Sequence, residues 1–196
     1  MISKSILDLQ SAKIHLTAVS HKSRTLPFAH RRNIACLGLN PTGNLLLSVD
    51  DDGKAILSSL PLGLALYHLS FQASTSCVSF SPSGRHLAAA VGRVVEIWQL
   101  ADPTTDAVNQ GVTFAPFTRY RAFTGHDDRV QQVTWSGDGR FLLSCSRDLT
   151  AHLWSLDLAS GVSPTSLSGH RDALVGAWFS ANQENVFRPC YSSATN

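Results

Sequence analysis

The chain has 196 residues, of which 43% are hydrophobic and 15% charged, with a formal net charge of +2. This composition excludes an intrinsically disordered chain, and so mild a charge gives no broad field that would by itself draw a nucleic acid. No apolar run approaches the roughly 18 residues that a bilayer-crossing helix needs, and "MISKSILDLQSAKIHL" lacks the continuous apolar stretch of a secretory signal. A cytosolic or nuclear protein with reduced thiols is expected.

Residues 1–29 carry two short strand-like runs, "SKSILDLQ" and "SRTLPFAH", read as the last two strands of a unit that the chain enters part-way. A pattern then recurs. "LNPTGNLLLSVDDDGKAILSSL" begins at Leu39, "FSPSGRHLAAAVGRVVEIWQL" at Phe80 and "WSGDGRFLLSCSRDLTAHLWSL" at Trp135. Each copy has a turn glycine (Gly43, Gly84, Gly139), a run of aliphatics, a second turn and an alternating run. Alternation over four to eight residues between turns predicts antiparallel strands. They are expected near 34–39, 75–80 and 130–135, then 44–49, 85–90 and 140–145, then 54–59, 93–98 and 150–155. A poorly patterned fourth strand, such as "YRAFTG", precedes the next copy. Period-2 positions Leu37, Leu39, Val78, Phe80, Val133 and Trp135 are expected to be buried, with Ser79 and Thr134 pointing the other way.

The copies divide the chain into units 30–70, 71–124 and 125–168. The second is lengthened near 101–116 by "ADPTTDAVNQGVTFAP", whose polar, Pro and Gly content marks a loop. "GHRDALVGAWFS" parallels "GHDDRVQQVTWS", so 169–181 is expected to be the first strand of a further unit, at 174–179. Residues 182–196 lose the pattern and are expected to be an irregular tail.

Little in the chain carries reactive chemistry. Cys36, Cys77, Cys145 and Cys190 form no CxxC pair, and Cys36 and Cys77 each lie seven residues before a turn glycine, so they read as buried small apolar residues in equivalent places. "DDDG" at Asp50–Gly53 lacks the alternating ligands and distal Glu of a calcium loop and reads as a hairpin turn. The eight histidines have no HxxxH or HExxH spacing, and no glycine-rich phosphate loop is present. No metal and no cofactor is expected. "HRRN" and "RYR" are small basic groups, solvated by default. Their arginines, Arg31, Arg32, Arg119 and Arg121, are candidates for phosphate or partner contact, since a guanidinium binds phosphate bidentately.

The recurring unit, with Gly125-His126 at its start and Trp154 at its end, resembles the WD40 repeat, whose period is about 40–45 residues. The resemblance covers about residues 30–180. It implies an all-β fold: a WD40-type β-propeller, partial, an open arc of about three full blades plus flanking strands. Packing such sheets radially buries both faces of each. Trp98 and Trp154 would then pack against the neighbouring blade. The resemblance also implies a hydrogen-bonded structural tetrad of His126, Ser144, Asp148 and Trp154, with Asp52, Ser48 and His30 as a partial counterpart in the first copy. The second copy has no Asp at that turn. A His-Ser-Asp set invites a hydrolase reading, but here it coincides with a structural pattern and lacks a nucleophile elbow, so no catalytic residue is expected.

"RRNIACLGLNPTGNLLLSVDDDGKAILSSL", "CVSFSPSGR" and "GHRDALVGAWF" are similar, more narrowly, to the periodic tryptophan protein two family, in its N-terminal propeller. What that resemblance implies is a non-catalytic nucleolar scaffold of the small-subunit processome, in the nucleus. It would work in pre-rRNA processing with the U3 small nucleolar ribonucleoprotein. Its partners would be other WD40 and helical proteins of the processome, with contact to pre-rRNA or U3 small nucleolar RNA open, and no membrane or small-molecule substrate. The alternative is a generic WD40 adaptor in ubiquitin ligation or signalling. That family has two tandem propellers and a helical C-terminal region, whereas this sequence stops after a fourth first strand. It is therefore expected to be a partial or aberrantly terminated product, exposing apolar faces between blades.

Overall fold

The computed structural model describes residues 30–100, 117–157, 164–180 and 186–187, and every regular element among them is a β-strand. Three four-stranded antiparallel sheets follow one another along the chain, each with its strands in sequence order. The first holds β1 (Ile34–Leu39), β2 (Leu45–Asp50), β3 (Lys54–Ser59) and β4 (Leu64–Ser70). The second holds β5 (Thr75–Phe80), β6 (His86–Val91), β7 (Val94–Leu100) and β8 (Phe117–Phe123). The third holds β9 (Val130–Trp135), β10 (Phe141–Ser146), β11 (Ala151–Ser155) and β12 (Thr165–Leu167). A two-stranded ribbon, β13 (Trp178–Phe179) with β14 (Val186–Phe187), comes last. First strands meet across sheets, β1 against β5 and β5 against β9. The result is an open, partial β-propeller.

The turns explain why each sheet begins as it does. Gly43, Gly84 and Gly139 adopt φ of 71°, 72° and 72°, a region that L side chains disfavour and glycine enters freely. Each glycine N–H closes its turn on the carbonyl three residues back, at Asn40, Ser81 and Ser136. The second strands start one residue later than the alternation predicts. The residue after each glycine still belongs to the turn: the amides of Asn44, Arg85 and Arg140 donate to the side chains of Asn40, Ser83 and Asp138.

The sheets share their irregularities. The register of the first pair slips at the same place three times, leaving Ala35, Ser76 and Gln131 as extra residues. The outer strands β4 and β8 also carry matching bulges, at Leu66 and Tyr120. A bulge increases local twist and blunts an edge strand against further pairing. The strand expected around "YRAFTG" begins earlier, at Phe117, and ends at Phe123.

Burial sits between sheets. One core joins Leu47, Val49, Ala55 and Leu57 of the first sheet to Val78, Phe80, Leu87 and Ala89 of the second. A second joins Ala88, Ala90, Val95 and Ile97 to Val133, Trp135, Leu142 and Trp154. A third packs Leu143, Cys145 and Ala151 against Leu174 and Ala177. Successive residues of β6 therefore serve opposite cores, as the two-residue period of a strand requires.

This arrangement corrects one expectation. Val78, Phe80, Val133 and Trp135 are buried, but Leu37 and Leu39 are 57% and 54% exposed. The register is right and the neighbour is what differs. These positions of a first strand face the preceding sheet, and among the described residues no sheet precedes β1. A second correction concerns 174–179. In place of a six-residue strand there is one bridge at Leu174 and the short β13. Among the described residues, the only strand paired with β13 is the two-residue β14. The tail read as irregular supplies β14, where Val186–Phe187 pairs with β13. The runs at 1–29, the loop near 101–116, Cys190 and the rest of the tail lie outside the described residues.

Candidate functional site

The densest set of polar side chains is in the third sheet, and strand geometry assembles it. Ser144 on β10 lies opposite His152 on β11, and Trp154, two residues on, projects from the same face. Asp148 sits in the turn between these strands, and His126 in the loop that enters β9. The Trp154 indole N–H donates to Ser144 Oγ at 2.8 Å. Ser144 Oγ lies 2.8 Å from His126 Nε2, and His126 Nδ1 lies 2.8 Å from Asp148 Oδ2. One proton assignment satisfies every member: indole to hydroxyl, hydroxyl to Nε2, Nδ1–H to carboxylate. The structure thus brings His126, Ser144, Asp148 and Trp154 together.

The network continues to residues that the sequence reading did not single out. Asp148 accepts from the Thr150 hydroxyl at 2.6 Å, the Thr150 amide at 2.9 Å and the Asp127 amide at 2.9 Å. Burial alone would push its carboxyl up. The donors from Thr150, His126 and Asp127 outweigh that and hold the pKa at about 2. His152 stacks on His126 with ring centroids 4.1 Å apart. Burial first, and then the neighbouring His126, push its pKa down, so a neutral ring is favoured there. Gly125 makes room for both rings. A Cβ at that position would lie 3.1 Å from the Trp154 ring and 3.4 Å from His152 Nδ1. Thr150, two residues after the carboxylate it caps, was the signal available for the wider network.

The order Ser–His–Asp matches a nucleophilic triad in connectivity, but its setting does not suit one. Ser144 is fully buried and His126 is 6% exposed. The serine oxygen also accepts the indole N–H, which draws electron density from the atom that would have to attack. With His126, Ser144, Asp148 and Trp154 all paired, the buried network stiffens the sheet and fixes its turn.

The first sheet repeats the arrangement with one substitution. His30 Nε2 lies 2.7 Å from Ser48 Oγ, and His30 Nδ1 lies 3.3 Å from Asp50 Oδ2. The expected carboxylate, Asp52, is not the partner. It is exposed and takes Arg32 Nε at 3.3 Å. Asp50, at the end of β2 and 2% exposed, accepts from the amides of Asp52 and Lys54 and caps its own turn. Burial pushes its pKa up, and these amides with His30 bring it below the ordinary value.

The second sheet has Ala89 where the others have serine, and solves the indole differently. The Trp98 N–H donates to Glu96 Oε2 at 3.1 Å, and Arg119 of β8 reaches Glu96 Oε1 at 2.8 Å. Glu96 is 4% exposed, so Arg119 neutralises a buried carboxylate. The other arginines are placed separately. Arg31 is exposed, Arg32 pairs with Asp52, and Arg121 lies over the Tyr120 and Phe123 rings at 5.8 and 5.7 Å. Both tryptophans pack between sheets: Trp98 meets Phe71 edge-on at 5.9 Å, and Trp154 stacks on Phe123 at 4.9 Å.

Cys36 and Cys77 occupy matching places on β1 and β5, their thiols directed at the Thr75 and Val133 carbonyls. Burial, with Cys77 nearby, pushes Cys36 up to about 12, and burial takes Cys145 to about 12 as well. Thiols so held are poor nucleophiles. Among the described residues no three His, Cys, Asp or Glu side chains are placed to hold a metal ion.

Residues 21–57, 66–99 and 117–155 match the family described as WD domain, G-beta repeat. The chain is 51% identical to Periodic tryptophan protein 2 homolog of Neurospora crassa, over 86% of this chain and 19% of the relative. It is 42% identical to Periodic tryptophan protein 2 of Saccharomyces cerevisiae, over 86% of this chain and 18% of that protein. For the Schizosaccharomyces pombe homolog the identity is 36%, over 84% and 19%. The chain therefore spans about a fifth of the length of these curated relatives.

Proposed function

Since the chain belongs to the WD40 repeat family, we propose that it is a non-catalytic scaffold in ribosome biogenesis, acting in small-subunit processome assembly and pre-rRNA processing. The observation that carries this reading is the 51% identity to a periodic tryptophan protein 2 homolog across most of the chain. In this reading the protein resides in the nucleolus and works beside the U3 small nucleolar ribonucleoprotein, holding other WD40 and helical proteins in place.

The geometry is compatible with holding rather than with turnover. The His-Ser-Asp set is sealed inside a sheet interface, and its hydrogen bonds are spent on fixing turns. What the sheets offer outward is a series of loops and edges on a stiff frame, the usual setting for recognition. Protein partners fit better than direct RNA contact. Two of the four arginines considered for phosphate, Arg32 and Arg119, are already paired with carboxylates, and arginine loops alternate with "DDD" and "HDD" segments.

Affinity purification of the tagged chain tests the proposal. Recovery of U3 components and processome WD40 proteins is the expected result. Recovery of ubiquitin-ligase or signalling subunits without them would overturn it in favour of a general adaptor.

A further inference from the structure

Three arginines meet at one end of the second and third sheets, and the backbone brings them there. Arg93 stands in the β6–β7 turn, Arg129 in the loop that enters β9, and Arg147 in the β10–β11 turn. The Val130 amide donates to the Gly92 carbonyl at 2.8 Å, and the Arg147 amide to the Arg129 carbonyl at 3.1 Å. The buried Ser146 hydroxyl fastens the same loop by donating to the Asp128 and Arg129 carbonyls. These bonds hold the three residues on adjoining turns.

Their charges are uncompensated. Arg93 and Arg147 are exposed and Arg129 is half-buried, and none of the three side chains makes a hydrogen bond or ion pair among the described residues. Arg129 Nε is buried without an acceptor, a cost that an oxygen brought by a ligand would remove. Two neighbouring carboxylates are engaged elsewhere. Asp148 holds His126, Thr150 and the Asp127 amide, and Asp128 accepts the Arg129 amide at 2.6 Å. Beside Arg147 the same turn carries an apolar residue under strain. Leu149 has φ of 70°, whereas in the corresponding turns of the other two sheets the positive φ falls on glycine, Gly53 and Gly92. A glycine would close the turn without that strain. Leu149 is only half-buried, so part of its side chain stays open to a partner.

We propose that Arg93, Arg129 and Arg147 bind a phosphorylated serine or threonine of a protein partner, with an apolar residue of the same segment on Leu149. A phosphoryl group carries about two negative charges and three strong acceptor oxygens, which suits several guanidinium forks at once. A lone carboxylate, with one charge and two oxygens, would leave most of the cluster unpaired. Single-stranded RNA fits less well, because a phosphate at every nucleotide would run past the exposed Asp127 and Asp128. The protein partner as a setting rests on the scaffold reading; the chemistry rests on these side chains.

Fluorescence anisotropy on the full chain tests this, with a fluorescein-labelled peptide that holds one phosphoserine between leucines and with its serine counterpart. Saturable binding of the phosphopeptide that weakens as salt rises is expected, and the serine peptide should bind about tenfold more weakly or worse. The double variant Arg93→Glu, Arg147→Glu should weaken phosphopeptide binding by about tenfold or more, because like charges then face each other. Arg129→Lys keeps the charge but loses the fork, and should weaken it by about threefold or more. Leu149→Gly keeps the φ that the turn needs and should weaken it by about threefold through lost apolar contact. Arg140→Glu, in the β9–β10 turn at the opposite end of β10, should bind as wild type. Thermal melts check that the variants fold. Absence of saturable binding, equal binding of the serine peptide, wild-type binding by the double variant, equal weakening by Arg140→Glu, or displacement of the phosphopeptide by a uridine oligonucleotide at lower concentration would each overturn the proposal. Recovery of processome partners by affinity purification alongside such a failure would leave the scaffold reading standing and remove only this site.

Discussion

Asp148 shows how much one side chain organises. It gathers a hydroxyl, an imidazole and two amides, and through His126 and Ser144 it orients Trp154 in the core between sheets. Removing it leaves these donors facing a gap. Asp148→Ala is expected to lower stability by roughly 1–3 kcal/mol, because a buried donor left unpaired bears its full desolvation cost; urea denaturation measures this. The pH dependence has a definite sign. The folded carboxyl, at about 2, lies below its ordinary value of 3.8. Its contribution is complete above pH 3.8 and is lost as pH falls through the folded value. Melts taken from about pH 5 down to pH 2 should show a falling Tm, less steeply in Asp148→Asn than in wild type. Gly125 tests the same cluster from its other side. Gly125→Ala would press a methyl against the Trp154 ring 3.1 Å away, and overpacking of this kind costs about 1–3 kcal/mol. A melting temperature equal to wild type would mean that the two rings yield freely. The Gly-His pair was legible in the sequence as a signature, while its reason, the closeness of two aromatic rings, was not, since residues 125 and 154 meet only through the pairing of β9 with β10 and of β10 with β11.

At the scale of the element, each sheet reaches the same end by different residues. Strands, turn glycines and inter-sheet alternation were readable because turn chemistry and a two-residue period are local properties. The polar anchors were readable only where the spacing was kept. In the third sheet the aspartate lies nine residues after Gly139 and makes the expected contacts. In the first, Asp52 holds that spacing, yet Asp50 does the work, because three consecutive aspartates leave the choice to which one the turn buries. In the second, Glu96 and Arg119 sit on β7 and β8, and only the bulged register places them together. Glu96→Ala should therefore destabilise the second sheet by about 1–3 kcal/mol, by stripping the Trp98 indole and the Arg119 guanidinium of their acceptor. Glu96→Gln should cost less, since the amide oxygen still accepts from the indole. The change in denaturation midpoint of the two variants, compared with wild type, measures the difference, and equal losses would assign the role to charge alone.

On the scale of the molecule, the decisive fact is that equivalent residues meet different surroundings. Leu39 and Phe80 hold the same place relative to their turn glycines, four residues before Gly43 and Gly84. Phe80 is 8% exposed against the first sheet, and Leu39 is 54% exposed. The alternation in the sequence marks both as inward-facing, and it is right about which face each occupies. It carries no information about whether another sheet covers that face, which is a property of the assembly and not of the strand. The energetic consequence separates the two positions. Phe80→Ala opens a cavity between sheets and should cost about 3–5 kcal/mol. Leu39→Ala removes a side chain that already meets water over half its surface, and should cost less than about 1 kcal/mol. The second substitution should also act where the first does not. Leu37 and Leu39, with Ile34 beside them at 54% exposed, form an apolar strip that favours self-association. Replacing Leu37 and Leu39 with serine should leave the denaturation midpoint nearly unchanged and reduce light scattering at high protein concentration. A large loss of stability in that double variant would show instead that these leucines are covered in solution, and that the first sheet has a neighbour on its outer face.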